Sequence, residues 1–301
     1  MVEELKLIRF LHSDTESYGF LINQDKVMDL RSLSEITMVR LPPDLQGLVS
    51  LGQEGIRLVE QVVHNSSEDD KKRATLQIDD ITLLAPISSP PKIICLGLNY
   101  RDHAEEIGAK IPEEPIFFMK PRTAIIGPNA PIILPSFVKQ LDYEVEMAIV
   151  IGKRGKNIPV SAAREYIFGY TAFNDVSARD IQFKDKQWTR GKSFDTFAPI
   201  GPCITTANQI KNPNDLRICT RVNGELRQNS STKNMIFNVY EIVYHLSRVM
   251  TLEPCDIIAT GTPGGVGVFI KPEPKFLSPG DIVEVEVEGV GTLRNPVVAA
   301  K

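Results

Sequence analysis

Leu141-Asp-Tyr-Glu-Val-Glu-Met-Ala-Ile-Val-Ile151 reads as one extended run. Side chains alternate faces along a strand, so Asp142, Glu144 and Glu146 fall on the same side. Met147-Ala-Ile-Val-Ile151 has no polar alternation, the pattern of a strand covered on both faces and hence of a core strand. Like charges at this spacing repel, and carboxylates at the mouth of a buried strand call for a cation. An anionic, all-oxygen donor set suits Mg²⁺, Mn²⁺ or Ca²⁺ rather than zinc. Glu144 and Glu146 are therefore candidate metal ligands, with a solvated acidic face as the alternative.

Asp281-Ile-Val-Glu-Val-Glu-Val-Glu288 repeats the spacing and provides an internal contrast. Its acids alternate cleanly with Val283, Val285 and Val287, and Gly289-Val-Gly291 follows as a turn signal. That is the pattern of an antiparallel strand with one wetted face. Spacing alone does not define a metal site; the apolar continuation after Glu146 separates the two segments.

The 301-residue chain carries 34 basic and 38 acidic side chains and a formal charge of −4. Such a balance leaves no electrostatic footprint for nucleic acid or for an anionic membrane, and points to a small ligand. No apolar run approaches a membrane span, and Met1-Val-Glu-Glu-Leu-Lys6 has neither signal-peptide nor transit-peptide character. Cys95, Cys203, Cys219 and Cys255 form no C-x-x-C pair. Neither a zinc ribbon nor a disulfide framework is indicated, and the cysteines read as reduced and intracellular. Cys95, inside Lys92-Ile-Ile-Cys-Leu-Gly97, reads as a small buried thiol.

Upstream, strands are expected at 5–11, 18–22 and 26–30, a helix near 54–63, and a polar connector at 64–73. Ile87-Ser-Ser-Pro-Pro91 punctuates the chain. It places a boundary between a small N-terminal domain, 1–88, and a larger domain, 89–301. Beyond it, strands with interspersed helices and many Gly and Pro corners argue for an α+β fold of packed, mostly antiparallel sheets. The clearest helix is 239–250, with Asn238 as N-cap, Glu241 completing a capping box, and an apolar stripe through Ile242, Val243, Leu246 and Val249. His245 on that helix reads as structural.

Three further segments carry chemistry. In Leu98-Asn-Tyr-Arg-Asp-His-Ala-Glu-Glu-Ile-Gly108, His103 and Glu106 become neighbours on one helical face. A carboxylate there can hold an imidazole in one tautomer as a general base; the alternative is a solvated helix. Phe173-Asn-Asp-Val-Ser-Ala-Arg-Asp-Ile-Gln182 follows an apolar run that would bury Asp175, and a buried aspartate needs a partner. Asp175 is a third candidate ligand, or else a helix cap, while Arg179 and Gln182 can reach an anionic ligand. Lys192, in Trp188-Thr-Arg-Gly-Lys-Ser-Phe-Asp195, can neutralise developing charge, or else is simply solvated. Thr260-Gly-Thr-Pro-Gly-Gly-Val-Gly267 lacks a nucleotide-loop pattern. It reads as an anion nest, with Thr262 adding a hydroxyl, or as a sharp corner.

From Lys92 to the C-terminus these blocks resemble the fumarylacetoacetate hydrolase family, in the family's order. They are His103-x-x-Glu106, Asp142-Tyr-Glu-Val-Glu146, Asn174-Asp-Val-Ser-Ala-Arg-Asp180, Gly191-Lys-Ser-Phe-Asp-Thr-Phe-Ala-Pro199, Arg221-Val-Asn-Gly-Glu225 and Gly261-Thr-Pro-Gly-Gly-Val-Gly267. Within the family the chain looks closest to the domain-containing protein 2 group, which has a similar small N-terminal domain. The resemblance implies a mixed β-roll of several sheet layers. It also implies a divalent metal on Glu144, Glu146 and Asp175, an acid-base pair in His103 and Glu106, and a charge-stabilising Lys192. Gln182 and Thr262 fall on its ligand-contacting positions. It further implies a homodimer, a 2-oxo acid substrate, and a mitochondrial matrix or cytosolic location. Leu96 stands where the founding hydrolase has a further metal-binding aspartate, which argues against fumarylacetoacetate as substrate. The expected activity is oxaloacetate enol–keto tautomerisation, with oxaloacetate decarboxylation, acylpyruvate hydrolysis or a catalytically silent metal-binding protein as alternatives.

Overall fold

The structure, a computed structural model, describes residues 5–300. Met1 to Glu4, part of the segment read above for targeting character, lie outside the described residues. The backbone is α+β. Two large sheets dominate the described residues: a mixed twelve-stranded sheet and a five-stranded sheet, with a short two-stranded ribbon beside them.

Val145–Ile151 lies inside the larger sheet, antiparallel to Ile167–Asn174 on one side and to Ile257–Ala259 on the other. All seven of its residues are buried. Each fully buried Val or Ile in such a strand stabilises the fold by about 1.5–3 kcal/mol relative to an exposed one. Ile257–Ala259 pairs in parallel with Ile93–Gly97, which brings the chain entering the His103 segment alongside the acidic strand. The expected single run from Leu141 is interrupted, however. Leu141–Asp142 pairs with Ser177–Ala178, and the ladder resumes only at Val145.

The N-terminal strands extend the same sheet, because Lys6–His12 runs antiparallel to Ala198–Thr206. The break expected near residue 88 falls between the strands Thr82–Leu84 and Ile93–Gly97. Part of the polar connector is helical: Glu68–Arg73 is initiated by a capping box between Ser67 and Asp70, with acids in its first turn and bases in its last. Caps and dipole-matched charges supply what its missing apolar face does not. Val239–Val249 carries the expected Asn238 and Glu241 box, and His245 packs against Phe237 and Tyr244. Ile282–Val287 alternates buried and half-buried residues as a one-sided strand should, and Glu286 is paired with Arg217 and Arg221. No helix among the described residues is long and apolar enough to cross a membrane.

Candidate active site

Glu144 precedes the buried strand, Glu146 lies within it, and Asp175 follows its neighbour Ile167–Asn174. Two bonds span the ladder break: Glu144 N–H donates to Asn174 Oδ1 (3.0 Å) and Asp175 N–H to the Glu144 carbonyl (2.9 Å). The three carboxylates are buried, with one oxygen of each within 4.8 Å of the others. Lys192 Nζ bridges two of them, 2.9 Å from Glu144 Oε2 and 2.7 Å from Asp175 Oδ2. Arg179 Nη1 lies 2.6 Å from Glu144 Oε1.

These surroundings push the acids apart. Burial alone would raise the Glu144 carboxyl, but Lys192 and Arg179 outweigh it and hold it at about 2. Glu146 is driven well above the usual carboxylate range by burial and by the charges of Asp175 and Glu144. Burial would lower the Lys192 ammonium, yet Asp175 and Glu144 raise it, so it stays charged at neutral pH. Glu146 Oε2 accepts from Gly261 N–H at 2.7 Å, whereas its Oε1 is buried with no partner. Lys120, Arg179 and Lys192 pair with Asp142, Glu144 and Asp175, which leaves the carboxyl of Glu146 in excess. A partnerless buried oxygen in an over-acidic oxygen cluster fits a hard divalent cation, and Glu144, Glu146 and Asp175 could hold one.

Asp142 does not share that face. Fully buried, it accepts from Arg179 Nε (2.8 Å) and from the backbone N–H groups of Tyr143 (2.9 Å), Gly267 (2.8 Å) and Val268 (3.0 Å). The ladder break at Tyr143 and Glu144 turns it away. Asp142 thus fixes Arg179, whose Nη1 also donates to Gln182 Oε1 at 3.0 Å while Nη2 has no partner.

The loop expected to be an anion nest or a sharp corner does bind carboxylates, but they are the chain's own. Gly261 takes Glu146, Gly265 N–H takes Glu106 Oε1 (2.9 Å), and Gly267 takes Asp142. Gly261 adopts φ +93°, and a Cβ there would stand 2.8 Å from Asn99 Cβ, which glycine alone avoids. The Thr262 hydroxyl donates to the Val145 carbonyl (2.9 Å) and accepts from Gln228 Nε2 (2.8 Å), so its proton is already committed.

His103 and Glu106 lie on the helix Arg101–Ile107, ended by Gly108 in the left-handed conformation. His103 Nδ1 is 3.1 Å from Glu106 Oε2. Asp102 ties the helix down by accepting from Ser230 Oγ, and Asn99 Nδ2 donates to the Thr260 carbonyl at 2.8 Å. His103, Glu144, Arg179, Gln182, Lys192 and Thr262 all line one cavity of about 210 Å³. A larger cavity of about 840 Å³ lies elsewhere, lined by residues such as Gln53, Arg154 and Arg164 and by none of this machinery; chemistry, rather than size, selects the smaller.

Sequence reasoning missed Lys120. Its buried ammonium pairs with Asp175 Oδ1 and donates to the Val176 carbonyl at 3.1 Å. The available signal was a lone lysine ending the apolar strand Ile116–Lys120 before Pro121. Gln228 was missed too; its amide ties Val145, Thr220, Thr262 and Pro263 together.

Residues 92–298 match the family model for the fumarylacetoacetate (FAA) hydrolase C-terminal domain. Over 299 residues the chain is 41% identical to oxaloacetate tautomerase fahd2, mitochondrial, of Xenopus laevis, covering 98% of this chain and 90% of that protein. Among solved structures it is similar to a fumarylacetoacetate hydrolase from Exiguobacterium antarcticum, with TM-score 0.81 and 37% identity over 98% of this chain and 100% of that one. It is likewise similar to a 5-carboxymethyl-2-hydroxymuconate delta-isomerase from Mycobacterium smegmatis, with TM-score 0.76 and 36% identity over 98% and 100%. A family match across most of the chain, and a fold shared end to end, carry one conclusion: this protein belongs to the fumarylacetoacetate hydrolase family.

Proposed function

We propose that the chain is a divalent-cation-dependent enzyme for small 2-oxo acids, acting as an oxaloacetate enol–keto tautomerase. Residues 89–301 form its catalytic domain and 1–88 a smaller lobe. The observation that carries the reading is that His103, paired with Glu106, lines the same cavity as Glu144 of the buried acidic triad. A structural metal site has no use for an oriented imidazole. The name of the Xenopus relative supports oxaloacetate as substrate, and its mitochondrial designation supports a mitochondrial location.

A divalent ion on Glu144, Glu146 and Asp175 would supply Lewis-acid polarisation of a 2-oxo carboxylate. Everything else falls to side chains. Glu106, held by Gly265 N–H, accepts from His103 Nδ1 and leaves Nε2 as the base. That nitrogen delivers or removes the proton at carbon 3 of the substrate. Lys192 and Arg179 stabilise negative charge that develops on the substrate oxygens, and the unpartnered Arg179 Nη2 is available to a second carboxylate.

The test is one panel on the full chain with Mg²⁺: decay of enol-oxaloacetate, release of pyruvate and cleavage of an acylpyruvate, each against His103→Ala. The reading expects enol decay as the dominant activity, lowered by about 10²–10⁴-fold in the variant. Wild-type rates equal to Mg²⁺ in buffer for all three would leave a silent metal-binding protein.

A further inference from the structure

We propose that the cavity also takes and tautomerises 2-oxo acids bearing an apolar, planar group on carbon 3, an arylpyruvate being the simplest; this rests on the function proposed above. The cavity lining carries two unlike sets of side chains, which meet where Lys192 Nζ stands 5.4 Å from the Phe118 ring centroid. Its ionisable groups, His103, Glu144, Arg179 and Lys192, lie around the acidic cluster. The other lining side chains include Leu96, Ile107, Ile116, Phe118, Trp188 and Phe269, with no charge among them. A four-carbon dicarboxylate has no apolar group to set against the aromatic and aliphatic part of this lining.

The apolar part is flat-sided. Trp188 stands edge-on to Phe118 with centroids 5.9 Å apart at 84°. Its ring occupies the place that a Cβ on Gly97 would fill, 2.0 Å away. Around the opening, Ile107, Ile116 and Phe183 are 37%, 43% and 58% exposed. Single exposed apolar residues are ordinary, but three of them rimming one cavity mark a surface for an apolar ligand.

His103 lies at the seam, its ring centroid 6.0 Å from that of Phe269. The imidazole that moves the carbon 3 proton therefore borders the apolar part, and a substituent on carbon 3 projects onto it. The reaction balances without a co-reactant. Ketonisation removes the enol O–H proton, the pair left on oxygen forms the carbonyl π bond, and the C2=C3 π pair takes up one proton at carbon 3.

The full chain with Mg²⁺ is assayed with enol-phenylpyruvate beside enol-oxaloacetate, in wild type, Ile116→Lys and Phe183→Lys. Both substitutions are at exposed rim positions, so a folding failure in one leaves the other. Trp188 is the sole tryptophan, so quenching of its emission by phenyllactate, which does not tautomerise, reads binding apart from turnover. Apolar contacts are worth roughly 10–200-fold in discrimination. Acceleration of both enols in wild type is expected, with saturable quenching. A lysine at the rim is expected to lower the phenylpyruvate-to-oxaloacetate ratio of kcat/KM at least about tenfold and to weaken quenching. Acceleration of phenylpyruvate alone supports the inference and sinks the oxaloacetate assignment. Acceleration of oxaloacetate alone, or equal loss of both substrates in both variants, overturns the inference and leaves the proposed function standing. Acceleration of neither overturns both.

Discussion

Glu106→Gln separates proton transfer from everything else in the site. In the wild type, Glu106 Oε1 accepts from Gly265 N–H at 2.9 Å and Oε2 receives His103 Nδ1–H at 3.1 Å. A glutamine that keeps its carbonyl on Gly265 turns its NH₂ toward Nδ1 and donates. The imidazole must then carry its proton on Nε2, and the base facing the cavity is lost. Silencing a positioned base costs about 10²–10⁴-fold in turnover, or about 2.7–5.4 kcal/mol in the barrier. Little else changes. The Gly265 bond survives and the side chain is only half-buried, so stability should move by no more than about 1 kcal/mol, or roughly 2–4 °C in Tm. The assay pairs stopped-flow decay of enol-oxaloacetate with Mg²⁺ calorimetry and a melting curve. Turnover within a few-fold of wild type at unchanged Mg²⁺ affinity would refute the tautomer argument. Loss of Mg²⁺ binding would show that the pair is part of the metal site instead.

Glu146→Gln should abolish Mg²⁺-dependent thermal stabilisation, and Mg²⁺ binding that survives Glu144→Gln plus Glu146→Gln removes the site. Because burial and its acidic neighbours raise the Glu146 carboxyl in the metal-free fold, its contribution is complete below the ordinary carboxylate range and is lost as pH rises through the raised value. Metal-free wild type should therefore lose stability toward alkaline pH, and Glu146→Gln should flatten that slope; parallel pH curves for the two proteins contradict the assignment. Asp142→Asn removes one of the two carboxylates that compensate the buried Arg179, leaving Glu144, and should cost about 1–3 kcal/mol, against less than about 0.5 kcal/mol for Glu284→Gln on the wetted strand, as read by denaturant unfolding. In Arg101–Ile107 only Ala104 is buried, so few apolar contacts hold the helix down. Hydrogen exchange there should slow when oxalate and Mg²⁺ bind, and equal protection with and without them counts against a mobile lid.

Local pattern determined much of this protein. The unalternated stretch after Glu146 announced a strand buried on both faces, because burial on two sides leaves no position for a polar residue, and Val145–Ile151 is that strand. The i, i+3 spacing of His103 and Glu106 needed only one turn of helix to bring the side chains together, and Asn238 with Glu241 needed only the next turn to close a cap. What tertiary structure alone decided were contacts between segments far apart in sequence. Strand periodicity put Asp142 beside Glu144 and Glu146, but the ladder break between Asp142 and Val145 reassigned it to Arg179 and the glycine loop. The same loop looked ready for a foreign anion, yet its N–H groups are filled by Glu106, Asp142 and Glu146. Lys120 lies 55 residues before the aspartate it neutralises. A lone lysine after an apolar run has no periodic signature; only the pairing of Ile93–Gly97 with Ile116–Lys120 carries that ammonium to Asp175, where the low dielectric of the interior makes the charge indispensable.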